Sequence, residues 1–381
     1  MKILAVDVGT GTQDILLFDT RLNVENSFKL VVPSPTMIIH RKIKNATKNG
    51  SGICLTGVTM GGGPSHWAAM DHLKAGYSVF ATPLAARSFD DDLSEVKKMG
   101  IQIIGEEEVS SLASSIMRIK LIDFDFSAIA NSFKEFGVSL NDLAAVAVAV
   151  FDHGNAPPKY SDRQFRFDYI SDQLSKNPQL ETFAFFSDDI PESMTRMQSV
   201  LASSKNVDVP LILMDTAPAA ILGASFDPKV KEKEHSVIVN IGNFHTLAFR
   251  MNREKVEGVF EHHTGLIDVG KMDILLANLA DGTIQHEDVF MEHGHGAIVN
   301  KGAGVDLSTG PYGVAVTGPR QSMMRTSKLR PYFSAPFGDM MLAGCFGLLH
   351  ATGKILPMVE NQVFEAIYPK GNQVTTPWEI S

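Results

Sequence analysis

The chain has almost no cysteine: Cys54 and Cys345 are the only two among 381 residues, far apart and each in an apolar context. Two thiols so placed exclude a disulfide framework and a thiolate metal site within one chain. They also fall short of the four thiolates that an iron–sulfur cluster normally takes. Long apolar runs are missing too. The longest, Leu143 to Phe151, is well short of the ~20 residues that cross a bilayer as a helix. No charged n-region followed by an apolar stretch opens the chain, so a cytoplasmic location is expected. Nor is there a block of positive charge. Lys and Arg number 34 against 43 Asp and Glu, a formal net charge of −9, which argues against nucleic acid or an anionic membrane as the main partner.

What the chain does have begins at once. Ile3 to Val6 is an apolar run of the kind buried on both faces of a central strand, and Asp7 interrupts it at the strand's end. A carboxylate there is costly unless it is paired or used. Gly9 and Gly11 permit positive φ and close backbone approach, while Thr10 and Thr12 add hydroxyls, a combination suited to an oxyanion. The competing pattern is a dinucleotide fingerprint, but its third glycine is replaced by Asp14. Ile15 to Phe18 then reads as a second strand and not as the helix that such a fingerprint opens. A tight turn without a ligand is the plainer alternative.

The length favours two domains with a cleft between them. Strands are expected at Ser27 to Val32, Ile53 to Val58, Val79 to Thr82, Ile101 to Ile104 and Ala144 to Phe151, with helices between several of them, an α/β pattern. Gly61, Gly62 and Gly63 lead into a helix beginning at Pro64, a second place that could hold an anion or simply allow close packing. Tyr160 to Arg166 reads as part of a long loop. Further on, Leu211 to Met214 is followed by a small-residue helix, Asp215 to Ala224, suited to a close helix crossing. Ser236 to Ile241, Gly242-Asn243 and Thr246 to Arg250 then repeat the opening hairpin. Val314 to Val316 runs into Thr317-Gly318-Pro319-Arg320, and Pro336 to Leu349 reads as a glycine-studded helix.

Taken in order, these pieces resemble the actin, Hsp70 and sugar-kinase superfamily. Asp7 to Asp14 resembles its first phosphate loop, Asp215 to Gly223 its first connecting helix and Asn240 to Thr246 its second phosphate loop. Thr317 to Met323 resembles the adenosine motif, and Pro336 to Leu348 the second connecting helix. The resemblance implies two ribonuclease-H-like, actin-like ATPase domains, residues 1–228 with 335–381 and residues 229–334, around a cleft for ATP and Mg²⁺. It implies that Asp7 anchors the metal and that Gly9, Thr10, Gly11, Thr12, Gly242, Asn243 and Thr246 hold phosphates. Asp215, Asn240, Gly318 and Arg320 complete the nucleotide site. Val31 to Val209 and Lys255 to Tyr312 have no specific match and would hold a second ligand. The chain as a whole also resembles a group of prokaryotic proteins sometimes labelled as pyruvate formate-lyase activating enzymes. That label is disfavoured, because such radical enzymes hold a cluster through three closely spaced cysteines.

The chain departs from the superfamily pattern where hydrolysis would occur. Asn240 stands where an aspartate is usual and cannot supply charge to Mg²⁺; Asn243, Phe244 and His245 replace glycines; Thr216 occupies the place of a water-orienting glutamate or glutamine. His245 is a candidate acid, base or phosphate donor, and Asp152 with His153 a candidate for activating an acceptor, the alternative being a turn cap at Gly154. Arg320 could stack on a base or reach a phosphate, or form a surface ion pair. His262, His263, His293 and His295 are candidate metal ligands. Adjacent His262 and His263 would point oppositely on a strand, whereas His293 and His295 share a face if extended. The expected function is an ATP-dependent kinase or phosphotransferase acting on a small molecule. The alternatives are a nucleotide-dependent activator or sensor working with a partner protein and having little turnover, and a binding protein that has lost nucleotide.

Overall fold

In the computed structural model, residues 1–300, 302, 304–307, 313–368 and 376–380 are described. The chain opens with β1 (Lys2–Val8), β2 (Thr12–Asp19) and β3 (Phe28–Pro33), an antiparallel meander. It then builds a separate four-stranded sheet from β4 (Ile53–Gly57), β5 (Val79–Ala81), β6 (Gln102–Ile103) and β7 (Met117–Leu121), parallel throughout in the order β6-β5-β4-β7. Returning, β8 (Leu143–Val150) and β10 (Leu211–Asp215) add parallel to β1, and β9 (Ala184–Phe186) closes the edge, giving β3-β2-β1-β8-β10-β9.

The second half repeats this plan. Strands β11 (His235–Ile241), β12 (His245–Asn252) and β13 (Lys255–His263) form an antiparallel meander extended by β14 (Gly296–Val299). Strands β15 (Val314–Thr317) and β16 (Tyr332–Phe333) add parallel to β11, in the order β14-β13-β12-β11-β15-β16. Each large sheet therefore contains a first, second and third strand in antiparallel meander with two parallel strands beside the first. This is the duplicated ribonuclease-H-like, α/β arrangement of an actin-like fold. The reason is visible in the residues: β1 and β8 are apolar and buried almost throughout, as a strand covered on both faces must be. Among the described residues no helix is long and apolar enough to cross a membrane.

Two helices, Thr216–Ala224 and Ala343–Ile355, cross at contact distance. A Cβ on Gly223 would overlap the Ala343 carbonyl, and one on Gly347 would overlap the Ala219 carbonyl, so the crossing requires glycine at both points. The expected helix from Pro336 is shorter than its sequence suggests. Pro336–Gly338 is a separate 3-10 turn in which Phe337 adopts a left-handed φ of 51°, and the α-helix starts at Ala343. The expected loop at Tyr160 to Arg166 is also corrected: Asp162–Lys176 is a helix, and it carries Arg166 into the interior.

Candidate functional site

The parallel strands end on one side, and a cleft of about 380 Å³ opens there, where ligands of open α/β sheets characteristically bind. At its floor lie Asp7 and Asp14, directly opposed across the β1–β2 pair and hence on one face. Thr216 Oγ1 donates to Asp7 Oδ1 at 2.5 Å, whereas the buried Asp14 Oδ1 has no hydrogen-bond partner. Burial, opposed by the Thr216 hydrogen bond, raises Asp7 to about 7. Burial and the neighbouring Asp7 raise Asp14 to about 8. A Cβ on Gly344 would overlap the Asp7 carboxylate. The starts of both crossing helices therefore abut this residue, bringing their positive dipole ends to the acidic floor. Asp14 is a site residue that the motif comparison missed, although an antiparallel hairpin with Asp7 seven residues earlier already pairs the two.

The two hairpin turns share one construction. Gly9 N–H donates to Thr12 C=O at 2.9 Å, and Gly242 N–H donates to His245 C=O at 2.9 Å. Glycine is needed there for a reason other than the expected positive φ, which neither Gly9 nor Gly11 adopts. A Cβ on Gly9 would lie 2.9 Å from Thr12 O, one on Gly242 2.7 Å from His245 O, and one on Gly11 would overlap the Asn243 amide. The turns thus meet, with Asn243 lying against Gly11. Asn240 also lines the cleft, its Oδ1 packed under Gly318, whose φ of 97° turns the chain there.

Not every expected residue arrives in the cleft. Thr246 is buried behind it, its hydroxyl 2.9 Å from that of Thr264. Arg320 is exposed and does not line the cleft; its backbone N–H bonds Ile241 C=O at 3.0 Å. Asp215 caps the helix it precedes by accepting from Ala217 N–H at 3.1 Å and is otherwise engaged by the buried guanidinium of Arg166. Arg166 also contacts Glu261 at 3.2 Å and lies 4.2 Å from the Phe151 ring centre. Nothing local in the polar run around Arg166 marks it as interior.

Asp152 lines the cleft, yet its oxygens accept from Gly154 N–H and Met197 N–H, both at 2.9 Å. It fixes a turn and caps the helix Thr195–Ser203 from a distance. Beside it His153 joins His245 and His295, with ligating atoms all within 4.8 Å of one another. The His263 ring is 4.8 Å from His295 and 4.9 Å from His245, while His245 stacks at 4.1 Å on Phe151. Burial holds His153 down to about 3, and burial with neighbouring histidines holds His245 well below its ordinary value. Both rings are thereby held as neutral imidazoles with a single N–H each and not as imidazolium cations. The expected grouping of the histidines changes accordingly. His262 points away from the cluster, as adjacent strand positions require. His293, at a left-handed φ of 66°, is exposed and does not share a face with buried His295.

The glycine loop before Pro64 forms the opposite wall. Gly61 N–H is occupied by Asp123 at 3.1 Å, and the Arg196 guanidinium, paired with Asp123 at 2.6 Å, packs on Gly61. Phe244, from the second turn, rests against Gly63 and stacks on Trp67 at 5.4 Å. The parallel four-stranded sheet is thereby joined to the second hairpin across the cleft mouth.

Among solved structures, the chain is similar to an activator of 2-hydroxyisocaproyl-CoA dehydratase from Clostridium difficile with bound ADPNP, at 8% identity over 98% of this chain and 100% of that one, with a TM-score of 0.34. It is also similar to the ethanolamine utilization protein EutJ from Carboxydothermus hydrogenoformans, at 10% identity over 91% and 89% of the two chains, with a TM-score of 0.31. Human actin-related protein Arp8 in its ATP-bound state gives 9% identity over 94% and 92%, with a TM-score of 0.30. No curated protein matches the chain. Cys54, on β4, and Cys345, on the helix Ala343–Ile355, are both buried and are the chain's two cysteines, so one chain does not supply the cysteine triplet of a cluster-dependent radical activator. A family model matches residues 60–323, and the chain belongs to that family, described as "Putative pyruvate format-lyase activating enzyme (DUF1786)".

Proposed function

We propose that the cleft binds ATP with Mg²⁺ between two lobes, residues 1–228 with 335–381 and residues 229–334, and that the protein is a phosphotransferase acting on a small molecule. The observation that carries this reading is the pair of identically hydrogen-bonded turns, Gly9–Thr12 and Gly242–His245, meeting above opposed Asp7 and Asp14. Hard oxygen donors suit Mg²⁺, and the partnerless buried Asp14 Oδ1 fits a cation. Asp7, Asp14 and the Thr216 hydroxyl would hold the ion or its waters, and the bound ion would offset phosphate charge. Thr10, Thr12, Gly242 and Asn243 would hold phosphates, with Gly318 and Asn240 toward the nucleoside.

A second reading, a nucleotide-dependent activator or sensor with little turnover, is favoured by a specific observation: the Asp152 oxygens are taken by backbone N–H groups, and neighbouring His153 is kept neutral. Thermal unfolding with and without ATP and Mg²⁺ tests what both readings share. Nucleotide at 100 times its Kd adds ~2.7 kcal/mol to native stability, and Asp7→Asn should remove that gain. No gain with any nucleotide sinks both readings. Where the gain is present, acceptor-dependent ADP formation supports the transferase and its absence the sensor.

A further inference from the structure

We propose that His153, His245 and His295 bind a divalent first-row transition metal ion at the inner end of the cleft, apart from the magnesium position at Asp7 and Asp14. Three separate segments converge there: His153 is the third residue beyond β8, His245 the first residue of β12, and His295 the residue before β14. Their ligating atoms lie within 4.8 Å of one another, a separation that a small inward rotation converts to coordination of one ion.

Stacking of His245 on Phe151 explains one ring face but not the nitrogens. His245 Nε2 and both nitrogens of fully buried His295 have no hydrogen-bond partner. Each neutral imidazole carries an N–H whose burial without an acceptor is unfavourable. A metal on His295 Nε2 would leave the proton on Nδ1, which faces Glu261 Oε1 at 3.6 Å. That oxygen is also buried without a partner. Closing this gap gives the carboxylate–histidine–metal relay that orients imidazole ligands. Behind the rings, the buried guanidinium of Arg166 is already paired with both Asp215 and Glu261. Imidazole nitrogen selects zinc, iron, cobalt or nickel over magnesium. His153 and His245 line the cleft, so three protein ligands leave a position open toward it for water or a substrate oxygen.

The test uses the full chain, stripped with a chelator and titrated with Co²⁺ alone, with visible absorption as the readout and Zn²⁺ as competitor. One equivalent of Co²⁺ should bind with the d–d bands of a low-coordinate nitrogen site and be displaced by Zn²⁺. His153→Ala and His295→Gln should each abolish the bands and weaken binding by about 100-fold, and Glu261→Gln by about 10-fold. His262→Ala, His293→Ala and Asp7→Asn should bind as the parent does, the last separating this site from the nucleotide-linked ion. Circular dichroism checks folding; if His295→Gln fails to fold, half-buried His153→Ala decides. Absence of saturable binding near one equivalent in the parent overturns the assignment. So does a folded His153→Ala protein that keeps the bands, or equal loss in His262→Ala.

Discussion

Asp7 and Asp14 show how much a single register decides. Matching a motif linearly leads to one acidic residue, Asp7, whereas the hairpin sets a second carboxyl, that of Asp14, directly opposite it. The second hairpin offers no such pair, because the positions equivalent to Asp7 and Asp14 are Asn240 and Leu247. In metal-free protein the two carboxyls, raised to about 7 and about 8, keep protons that the unfolded chain releases near ~4. The native state therefore binds more protons across that interval, and the pair's contribution to stability, full below pH ~4, is lost as pH rises to about 8. In chelator, the fall in unfolding free energy between pH 5 and 7 should be shallower in Asp14→Asn than in the parent by up to ~1.4 kcal/mol per pH unit. Equal slopes in urea titrations would mean that Asp14 ionises in the fold without penalty. Arg166 marks the opposite limit of legibility. A guanidinium in a polar run reads as surface, and only the tertiary arrangement of Asp215, Glu261 and Phe151 gives it a reason to be buried.

At the scale of elements, strands were the most legible. Alternation and apolar runs placed β1, β4, β8, β10, β11 and β15 within a residue or so, because burial on both faces demands unbroken apolar sequence. Helices lacking such a stripe were not. Asp162–Lys176 is polar over most of its surface, and Ala343–Ile355 lost its true start to a proline and glycines that belong to a preceding turn. The crossing of the two small-residue helices was legible in composition, and its stringency follows from geometry. Gly347→Val should lower stability by at least ~2 kcal/mol, since a branched side chain would be driven into the Ala219 carbonyl and the core cannot repack around backbone. A denaturant midpoint matching the parent's would show that the helices slide apart freely. Because Gly344 on the same helix touches Asp7, such displacement would also disturb the acidic floor.

For the whole molecule, the duplicated hairpin foretold the duplicated sheet, but nothing in the sequence foretold how the inserted four-stranded sheet meets the second half. That meeting rests on Phe244 against Gly63 and Trp67, residues distant in sequence whose packing no local pattern encodes. Phe244→Ala should loosen it with little change in global stability. Amide hydrogen exchange should rise by an order of magnitude or so in the segment from Gly61 to Trp67 while strands β1 and β8 stay protected. Unchanged exchange there would show that the sheet is held by other contacts. The same pair has an optical consequence. Trp67 is one of only two tryptophans in the chain, and its indole lies flat against the tip of the opposing turn. With Trp378 replaced by phenylalanine, the chain would carry a single tryptophan, at the mouth of its own cleft, a gauge that can be excited apart from the tyrosines and whose emission colour follows how far the two walls stand apart.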